Sequence, residues 1–222
     1  MRKSALVHLG RINPFGRARV ATLYARGPSL DTHDFTHDPG AHLAINEAVL
    51  VAPTLMGIAW DYEPVLRIGR ALKFRGINPE AGPPWMIVVE DIFDGRAGPD
   101  VEWVRERGSY YRREDVRSYR PGTAAIALAL LAQGGVQEVH MVGFDAYFHP
   151  EVLDRPAVDA VALPEGSGVG VARRTSERVK KWVDAFPGPD KAGTNWQANY
   201  REINKVISRV AGEYGLRLVE GK

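Results

Sequence analysis

The stretch Pro121–Tyr147, PGTAAIALALLAQGGVQEVHMVGFDAY, contains the clearest structural unit that can be predicted for this chain. Its first half, Gly122–Gly135, is rich in Ala and Leu, the strongest helix formers, and ends in two glycines, which favour a helix end. The second half, Val136–Asp145, changes to the pattern of a β-strand. A helix that leads into an apolar strand predicts a parallel sheet with crossover helices, and such sheets bind ligands at the carboxyl ends of their strands.

Short apolar runs alternate with helical patterns on both sides of this unit. Strands are expected at Val20–Ala25, His42–Asn46, Met56–Trp60, Trp85–Glu90 and Leu216–Val219. Helices are expected at Glu47–Ala52, Glu63–Lys73, Arg173–Phe186 and Trp196–Tyr214. The alternation predicts one α/β domain over residues 1–222, with a mostly parallel sheet and flanking helices. Residues 146–170 are dense in Pro, Gly and Asp, so a lid-like loop is expected after the Gly-Phe-Asp strand end.

The composition of the chain narrows its class. Its 222 residues are 45% hydrophobic and 25% charged, which is typical of a globular domain and excludes disordered and fibrous proteins. The absence of cysteine excludes a disulfide scaffold, a thiol nucleophile and a cysteine-ligated metal. No apolar stretch reaches the roughly 18 residues of a membrane span, and no signal peptide is expected. The expected location is the cytoplasm.

The formal net charge of +2 is unevenly distributed along the sequence. Trp103–Arg120 has six Arg and three acids, and Arg173–Lys181 has five basic residues and one acid. Such clusters fit either an anionic ligand, such as a phosphate or a nucleic acid, or a solvated helix face. The first cluster also has aromatic residues between its cations, namely Trp103, Tyr110, Tyr111 and Tyr119, which favours nucleic-acid binding. The low net charge of the chain argues against a dedicated nucleic-acid-binding protein.

Candidate binding residues follow the first three predicted strands. Arg26-Gly27-Pro28-Ser29-Leu30 comes directly after the first strand, where backbone N–H groups can meet a phosphate, although Gly-Pro-Ser is also ordinary turn composition. Asn46 and Asp61 end the second and third strands. Polar side chains at neighbouring strand ends share one crevice, but both residues could equally cap the helices that follow them.

Two further groups lie in and after the central unit. Arg120–Thr123 begins the Ala-rich helix, so Gly122 and Thr123 could either bind an anion or simply start the helix. Past the strand end, Asp145, Tyr147 and His149 supply a carboxylate, a phenol and an imidazole.

A third group, the segment Asp31–Asp38, DTHDFTHD, has a spacing seen in metal sites. Its Asp and His residues are also common turn formers and caps. Both readings stay open for this segment.

The order of these motifs resembles one known family. The sequence resembles the family that joins bacterial lipooligosaccharide sialyltransferases with MptE-like 6-hydroxymethylpterin diphosphokinases. The motifs that carry this resemblance are, in order, a strand followed by GPSL, a strand followed by Asn46, a strand followed by Asp61, a Gly-Thr helix and a strand followed by GFDAY. The likeness runs from about Val20 to Tyr147, with a weaker match over Asn199–Val219. It implies a Rossmann-like domain that binds a nucleotide-activated donor, which the match would place against Gly27, Pro28, Ser29, Asn46, Gly122, Thr123 and Asp145.

The resemblance also has departures. Tyr147 is the counterpart of tyrosines that help the phosphate leave, but the histidine that serves as acceptor base in the sialyltransferases has no counterpart in AGTNWQANYREIN before the last helix. Arg26 stands where many relatives have Asn, and it adds a positive charge where a phosphate would sit. The sequence therefore fits the donor half of the family's site better than its acceptor half.

Three functions agree with these residues. The first is a glycosyltransferase that moves a sugar from a nucleotide-sugar co-substrate to a hydroxyl of a glycan or a modified DNA base. Arg26, Gly122, Thr123 and Tyr147 would serve the phosphate, and His149, Asp145 or Asp61 would be the base, with no metal ligand assigned. The second is a diphosphokinase whose Mg²⁺ would be held by Asp61 and Asp145. The third is a nucleic-acid-binding protein. The oligomeric state stays open.

Overall fold

The computed structural model describes residues 17–54, 56–59, 62–74, 85–89, 98–99, 102, 109–111, 122–153, 176–186 and 196–221. Within these ranges one sheet contains seven strands, namely β1 Val20–Tyr24, β2 Ala41–Ile45, β3 Met56–Ala59, β4 Trp85–Val89, β5 Ser109–Tyr111, β6 Glu138–Val142 and β7 Arg217–Glu220. All neighbouring strands run parallel, in the order β5-β4-β3-β2-β1-β6-β7. The predicted α/β class with a parallel sheet is therefore confirmed.

Helices connect and flank the strands. In the described ranges the α-helices include α1 Tyr62–Phe74, α2 Thr123–Gln133, α3 Asp145–Phe148, α4 Glu177–Ala185 and α5 Trp196–Tyr214. Short 3₁₀ helices occupy Pro28–Asp31, Phe35–His37, Asn46–Leu50 and Pro150–Leu153. In the described part of the chain, none of the helices combines the length and the apolar character needed to cross a bilayer.

The central unit predicted from the sequence has the expected form. Every residue of α2 from Thr123 to Leu131 is buried, because the helix packs against α5 on one side and against β2 and β3 on the other. A helix that is apolar all round must be covered all round. Its many Ala side chains leave room for α5 to approach closely. The apolar run in Pro121–Tyr147 therefore forms the centre of the core.

Three predictions about elements need correction. Glu47–Ala52 was expected to form an α-helix, but the chain makes a single 3₁₀ helix at Asn46–Leu50. Pro53 keeps this helix from continuing, because a proline disfavours α conformation at the residue before it. The second strand ends at Ile45, so Asn46 lies just beyond it. Strand β5 was not predicted, since only three residues of the Arg-rich cluster, Ser109–Tyr111, form it.

Other predictions about the same segments lie outside the described residues. Trp103 and Tyr119 of the Arg-rich cluster are outside the described residues. Most of the predicted lid-like loop 146–170 is also outside them, since only 146–153 is described. Asp61 lies outside the described residues as well.

The direction of chain progression reverses at β1. From β1 the strands advance through β2 to β5 on one side, whereas β6 and β7 lie on the other. Because parallel crossovers are right-handed, the connecting helices of the two halves cover opposite faces of the sheet. Open α/β sheets bind ligands in the crevice at such a reversal, and in this chain the reversal falls at the carboxyl ends of β1 and its neighbours.

Candidate functional site

The loop after β1 lies directly on the end of β6. The backbone N–H of Ala25 donates to Val142 O at 2.8 Å, and the N–H of Gly27 donates to Gly143 O at 3.0 Å. A Cβ at Gly27 would overlap Asp145 and the Gly143 carbonyl, and one at Gly143, whose φ is +76°, would overlap the Ala25 carbonyl. We call this contact between residues 25–29 and 142–145 the seam. Both glycines are needed for its closeness.

Asp145 fastens the seam. Its Oδ1 accepts the backbone N–H of Ser29 at 3.1 Å, and its Oδ2 accepts the Ser29 hydroxyl at 3.1 Å. The same hydroxyl oxygen accepts the backbone N–H of Gly143 at 3.0 Å. Asp145 and Ser29 were predicted as site residues, and the structure brings them together. Here they bond to one another, and their contact with a ligand remains a prediction.

The same loop uses most of its backbone donors internally. The N–H of Gly27 bonds to Gly143, that of Ser29 to Asp145, and that of Leu30 donates to Gly27 O at 3.1 Å. Pro28 has no N–H and begins the 3₁₀ helix. A phosphate cradle built from these amides would require several of these hydrogen bonds to break. The side chain of Arg26 is consequently the stronger candidate for binding an anion in this loop.

The end of β2 lies beside the seam and has a different character. Asn46 has a φ of +51° and is the one non-glycine residue with positive φ in the described ranges. The Glu47 side chain that follows it is 0% exposed. Arg67 of α1 donates from Nη1 to Glu47 Oε1, and Arg26 Nη1 lies 3.7 Å from Glu47 Oε2. A buried carboxylate therefore joins the loop after β1 to helix α1.

Two oxygens at the end of β2 have no hydrogen-bond partner. Among the described residues, Asn46 Oδ1 and Glu47 Oε2 are the only buried side-chain polar atoms in this condition. An unsatisfied buried acceptor costs about 1–3 kcal/mol, and a left-handed non-glycine backbone adds to that cost. Backbone strain and unsatisfied polar atoms that coincide at a strand end make this place a candidate functional site.

Helix α4 is fixed to the loop after β1. Asp31 accepts three hydrogen bonds from its start: the Ser176 hydroxyl at 2.6 Å, Glu177 N–H at 2.9 Å and Arg178 N–H at 3.1 Å. Burial would raise the pKa of Asp31, but these hydrogen bonds outweigh it and hold the pKa below its ordinary value. At the other end of α4, Phe186 O accepts Arg67 Nε at 2.9 Å. Helix α4 thus spans the crevice region from the β1 loop to α1.

The sequence reasoning missed Glu47, Arg67, Asp31 and Ser176 as parts of this region. Ser176 carried a usable signal, because a serine directly before an amphipathic run is a common helix N-cap, and its hydroxyl does accept Val179 N–H at 3.4 Å. Glu47 carried none, since a glutamate at a predicted helix start is ordinary.

Tyr147 and His149 project toward α5 and β7. The hydroxyl oxygens of Tyr147 and Ser208 are hydrogen-bonded at 3.2 Å, and the Tyr147 ring meets Phe148 edge-on. His149 is exposed, and its Nε2 lies 2.7 Å from Glu220 Oε1. That hydrogen bond and the charge of Glu220 raise the pKa of His149 above its ordinary value. These two predicted residues lie past the seam, with their hydrogen bonds made to α5 and β7.

The start of α2 holds the last two predicted residues. Gly122 has a φ of +143° and faces Ile203 of α5, and Thr123 is buried. No side chain caps this helix start. That Gly122 and Thr123 contact a donor remains a prediction.

The His- and Asp-rich segment Asp31–Asp38 forms a hydrogen-bonded loop. Asp38 accepts the Tyr24 hydroxyl at 2.6 Å and lies 2.8 Å from His33 Nε2. Burial, and secondarily Asp38, raises the pKa of Tyr24 above its ordinary value. Among the residues that the structure describes, no group of three or more His, Cys, Asp or Glu side chains could hold a metal ion.

The fold resembles those of two bacterial enzymes. An α-2,3-sialyltransferase from Campylobacter jejuni in apo form is 8% identical with a TM-score of 0.50, and the monofunctional α-2,3-sialyltransferase Cst-I of the same organism is 11% identical with a TM-score of 0.52. Each likeness covers 93% of this chain and 76% of the other. No protein-family model and no curated protein sequence matches the chain. The fold is therefore sialyltransferase-like, in agreement with that half of the resemblance seen in the sequence.

Proposed function

We propose that this protein is a glycosyltransferase that binds a nucleotide-sugar donor at the carboxyl ends of β1, β2 and β6 and transfers the sugar to an acceptor hydroxyl. One observation carries the proposal: the cluster of Arg26, Asn46 and Glu47 places charge, strain and unsatisfied acceptors in the crevice where the strand order reverses. The sialyltransferase-like fold supports it. The internally bonded seam beside the cluster would supply a rigid floor, since precise positioning is a main source of rate in group transfer.

Arg26 is the group we assign to the leaving phosphate. During transfer the bond between the anomeric carbon and the phosphate oxygen breaks, and its electron pair stays on that oxygen. A guanidinium next to the phosphate stabilises this developing charge. The Arg26 side chain keeps 29% of its surface exposed while its Nη1 lies 3.7 Å from Glu47, so it is both held and accessible.

His149 is the residue we assign as acceptor base. The acceptor oxygen forms the new bond to the anomeric carbon and must lose its proton, which the neutral imidazole would take. Glu220 would hold the ring and favour its protonated form. Asp145 suits this role less, because both of its oxygens accept hydrogen bonds from Ser29. The acceptor classes are a glycan hydroxyl and the hydroxyl of a modified DNA base.

A donor-binding and hydrolysis screen tests this proposal. Cytidine, uridine and guanosine sugars are titrated calorimetrically, and release of the sugar is followed by NMR with and without glycan or hydroxymethylated DNA. We expect one nucleotide class to bind, and Arg26→Ala to weaken its binding about 10-fold or more because a charge-assisted contact is lost. Arg217→Ala is the matched control, since that side chain lies on β7 and is 73% exposed. Failure of every donor to bind would refute the proposal.

A further inference from the structure

We infer that the buried carboxylate of Glu47 determines donor specificity by accepting a hydroxyl of the nucleotide's ribose, with Asn46 Oδ1 as the second acceptor. This inference rests on the proposed function, because it assigns part of the same donor site. It adds a recognition group that phosphate binding alone would not require. A ribonucleotide would then be preferred over its deoxy counterpart.

The position of Glu47 in the fold supports this role. It lies 20 positions after Gly27 and just past the end of β2, which pairs in parallel with β1. In open α/β sheets that bind nucleotides, an acidic residue about 20 residues beyond the first glycine loop, at the end of the second strand, accepts a ribose hydroxyl. The fold of this chain brings a carboxylate to that place although the loop does not have the Gly-rich dinucleotide pattern.

The hydrogen bonding of Glu47 shows which oxygen is available. Arg67 occupies Oε1 and thereby fixes the orientation of the carboxylate. Oε2 has an ion-pair neighbour, Arg26 Nη1 at 3.7 Å, but accepts no hydrogen bond. One oxygen therefore holds the side chain in place while the other keeps an unused acceptor position.

The chemistry of the two unsatisfied oxygens selects the ligand group. An ion-paired carboxylate oxygen and an amide oxygen only accept hydrogen bonds, and a carboxylate repels a phosphate. The group that satisfies them is a neutral donor of hydrogen bonds. Each of these acceptors fits a hydroxyl. Ribose is the part of a nucleotide that presents neutral hydroxyl donors.

Arg26 makes phosphate and ribose recognition depend on one another. Its guanidinium lies 3.7 Å from Glu47 Oε2, and it is the more exposed of the two arginines that contact this carboxylate. A phosphate that draws Arg26 toward itself would leave Oε2 open to a ribose hydroxyl. The phosphate and the ribose of one nucleotide would thus be recognised together.

The test compares the binding of nucleoside monophosphates with that of their 2′-deoxy and 3′-deoxy forms, by calorimetry on the full chain. We expect the ribonucleotide of the preferred base to bind about 10-fold or more tightly than either deoxy form, since an unpaired buried acceptor rejects a ligand that lacks the hydroxyl. Glu47→Gln should reduce that preference to about 3-fold or less. Glu177→Gln on α4, where the side chain is 72% exposed, is the matched control and should keep the full preference.

The possible outcomes separate this inference from the proposed function. Equal affinity of the wild-type protein for the ribo and deoxy forms overturns the inference without any variant. The inference can therefore be refuted even if the Glu47→Gln variant folds poorly. An unchanged preference in a folded Glu47→Gln, checked by thermal unfolding, also overturns it. A ribose preference that Glu47→Gln removes supports the inference even if no sugar is transferred, in which case the proposed function alone fails. If no nucleotide binds, both fail.

Discussion

The seam and the end of β2 are neighbours in the crevice but differ in how their polar atoms are used. In the seam, Asp145, Ser29 and the two glycines form a closed set of hydrogen bonds at 3.0–3.1 Å. At the end of β2, the strained residue Asn46 and the buried residue Glu47 each keep an acceptor without a partner. A glycine-rich loop after the first strand is the usual place to look for ligand binding. In this chain the unsatisfied buried acceptors lie one strand away.

This difference assigns separate tasks to the two regions. Every polar group of the seam that we described stabilises the protein, so a change there should lower stability. At the end of β2 the backbone strain and the unsatisfied acceptors lower the stability of the fold, so a substitution there can raise the free energy of unfolding. The sign of a stability change thus distinguishes a scaffold from a site.

Substitution of Gly143 by Ala should have the largest effect. The new Cβ would overlap the Ala25 carbonyl, and the residue has a φ of +76°, so the seam must open. We expect a loss of about 3–4 kcal/mol in the free energy of unfolding, measured by urea denaturation. Gly215→Ala is the control, because Gly215 has a similar φ of +62° and nothing within 4 Å of its Cβ position. It should lose only about 1 kcal/mol. Equal losses at both glycines would show that the seam is not tightly packed.

Substitution of Asn46 by Gly should have a smaller effect of the opposite sign. Glycine adopts the φ of +51° without strain and removes the unsatisfied oxygen. These gains exceed the entropy that glycine adds to the unfolded chain, so we expect about 1 kcal/mol of added stability. Asn46→Ala removes the oxygen but increases the backbone strain, because Ala tolerates a left-handed backbone less well than Asn, so it should gain less. A loss of stability in Asn46→Gly would mean that Asn46 serves the fold.

An effect of similar size to that of Asn46→Gly, but a loss, is expected for Asp31→Asn, which loosens helix α4 from the loop after β1. Loss of this capping carboxylate should cost about 1 kcal/mol at pH 7. Because folding lowers the pKa of Asp31, its stabilisation is present above the ordinary pKa near 4 and is lost as the pH falls through the lower folded-state value. The stability gap between wild type and variant should therefore shrink below about pH 4. Asp184→Asn, at an exposed site on α4, should show no such gap.

Much of the fold could be predicted because its signals are local. The Ala-rich helix, the strand after it and the long final helix follow from residues that are close in sequence, and α5 begins and ends at the predicted residues. Strand β5 could not be predicted in this way. Its three residues lie inside an Arg-rich cluster and are too few to show the alternation of a strand. They form a strand because they pair with β4.

The candidate site was predictable in location but not in its internal bonding. Strand order and loop composition placed Ser29, Asn46 and Asp145 at neighbouring strand ends. That Ser29 and Asp145 bond to each other depends on a contact between residues 116 positions apart. The exceptional character of Glu47 arises from burial against Arg67, which sequence spacing does not reveal.

The position of β1 at the reversal of the sheet has a consequence for synthesis on the ribosome. Val20–Tyr24 pairs on one side with β2, which follows at once, and on the other side with Glu138–Val142. At a translation rate of roughly 5–20 residues per second, this second partner emerges several seconds later. Throughout that delay the central strand has one open edge, which can pair wrongly with another chain. The crevice is then completed late in folding, so a chain stalled before residue 145 has neither the seam nor a finished site.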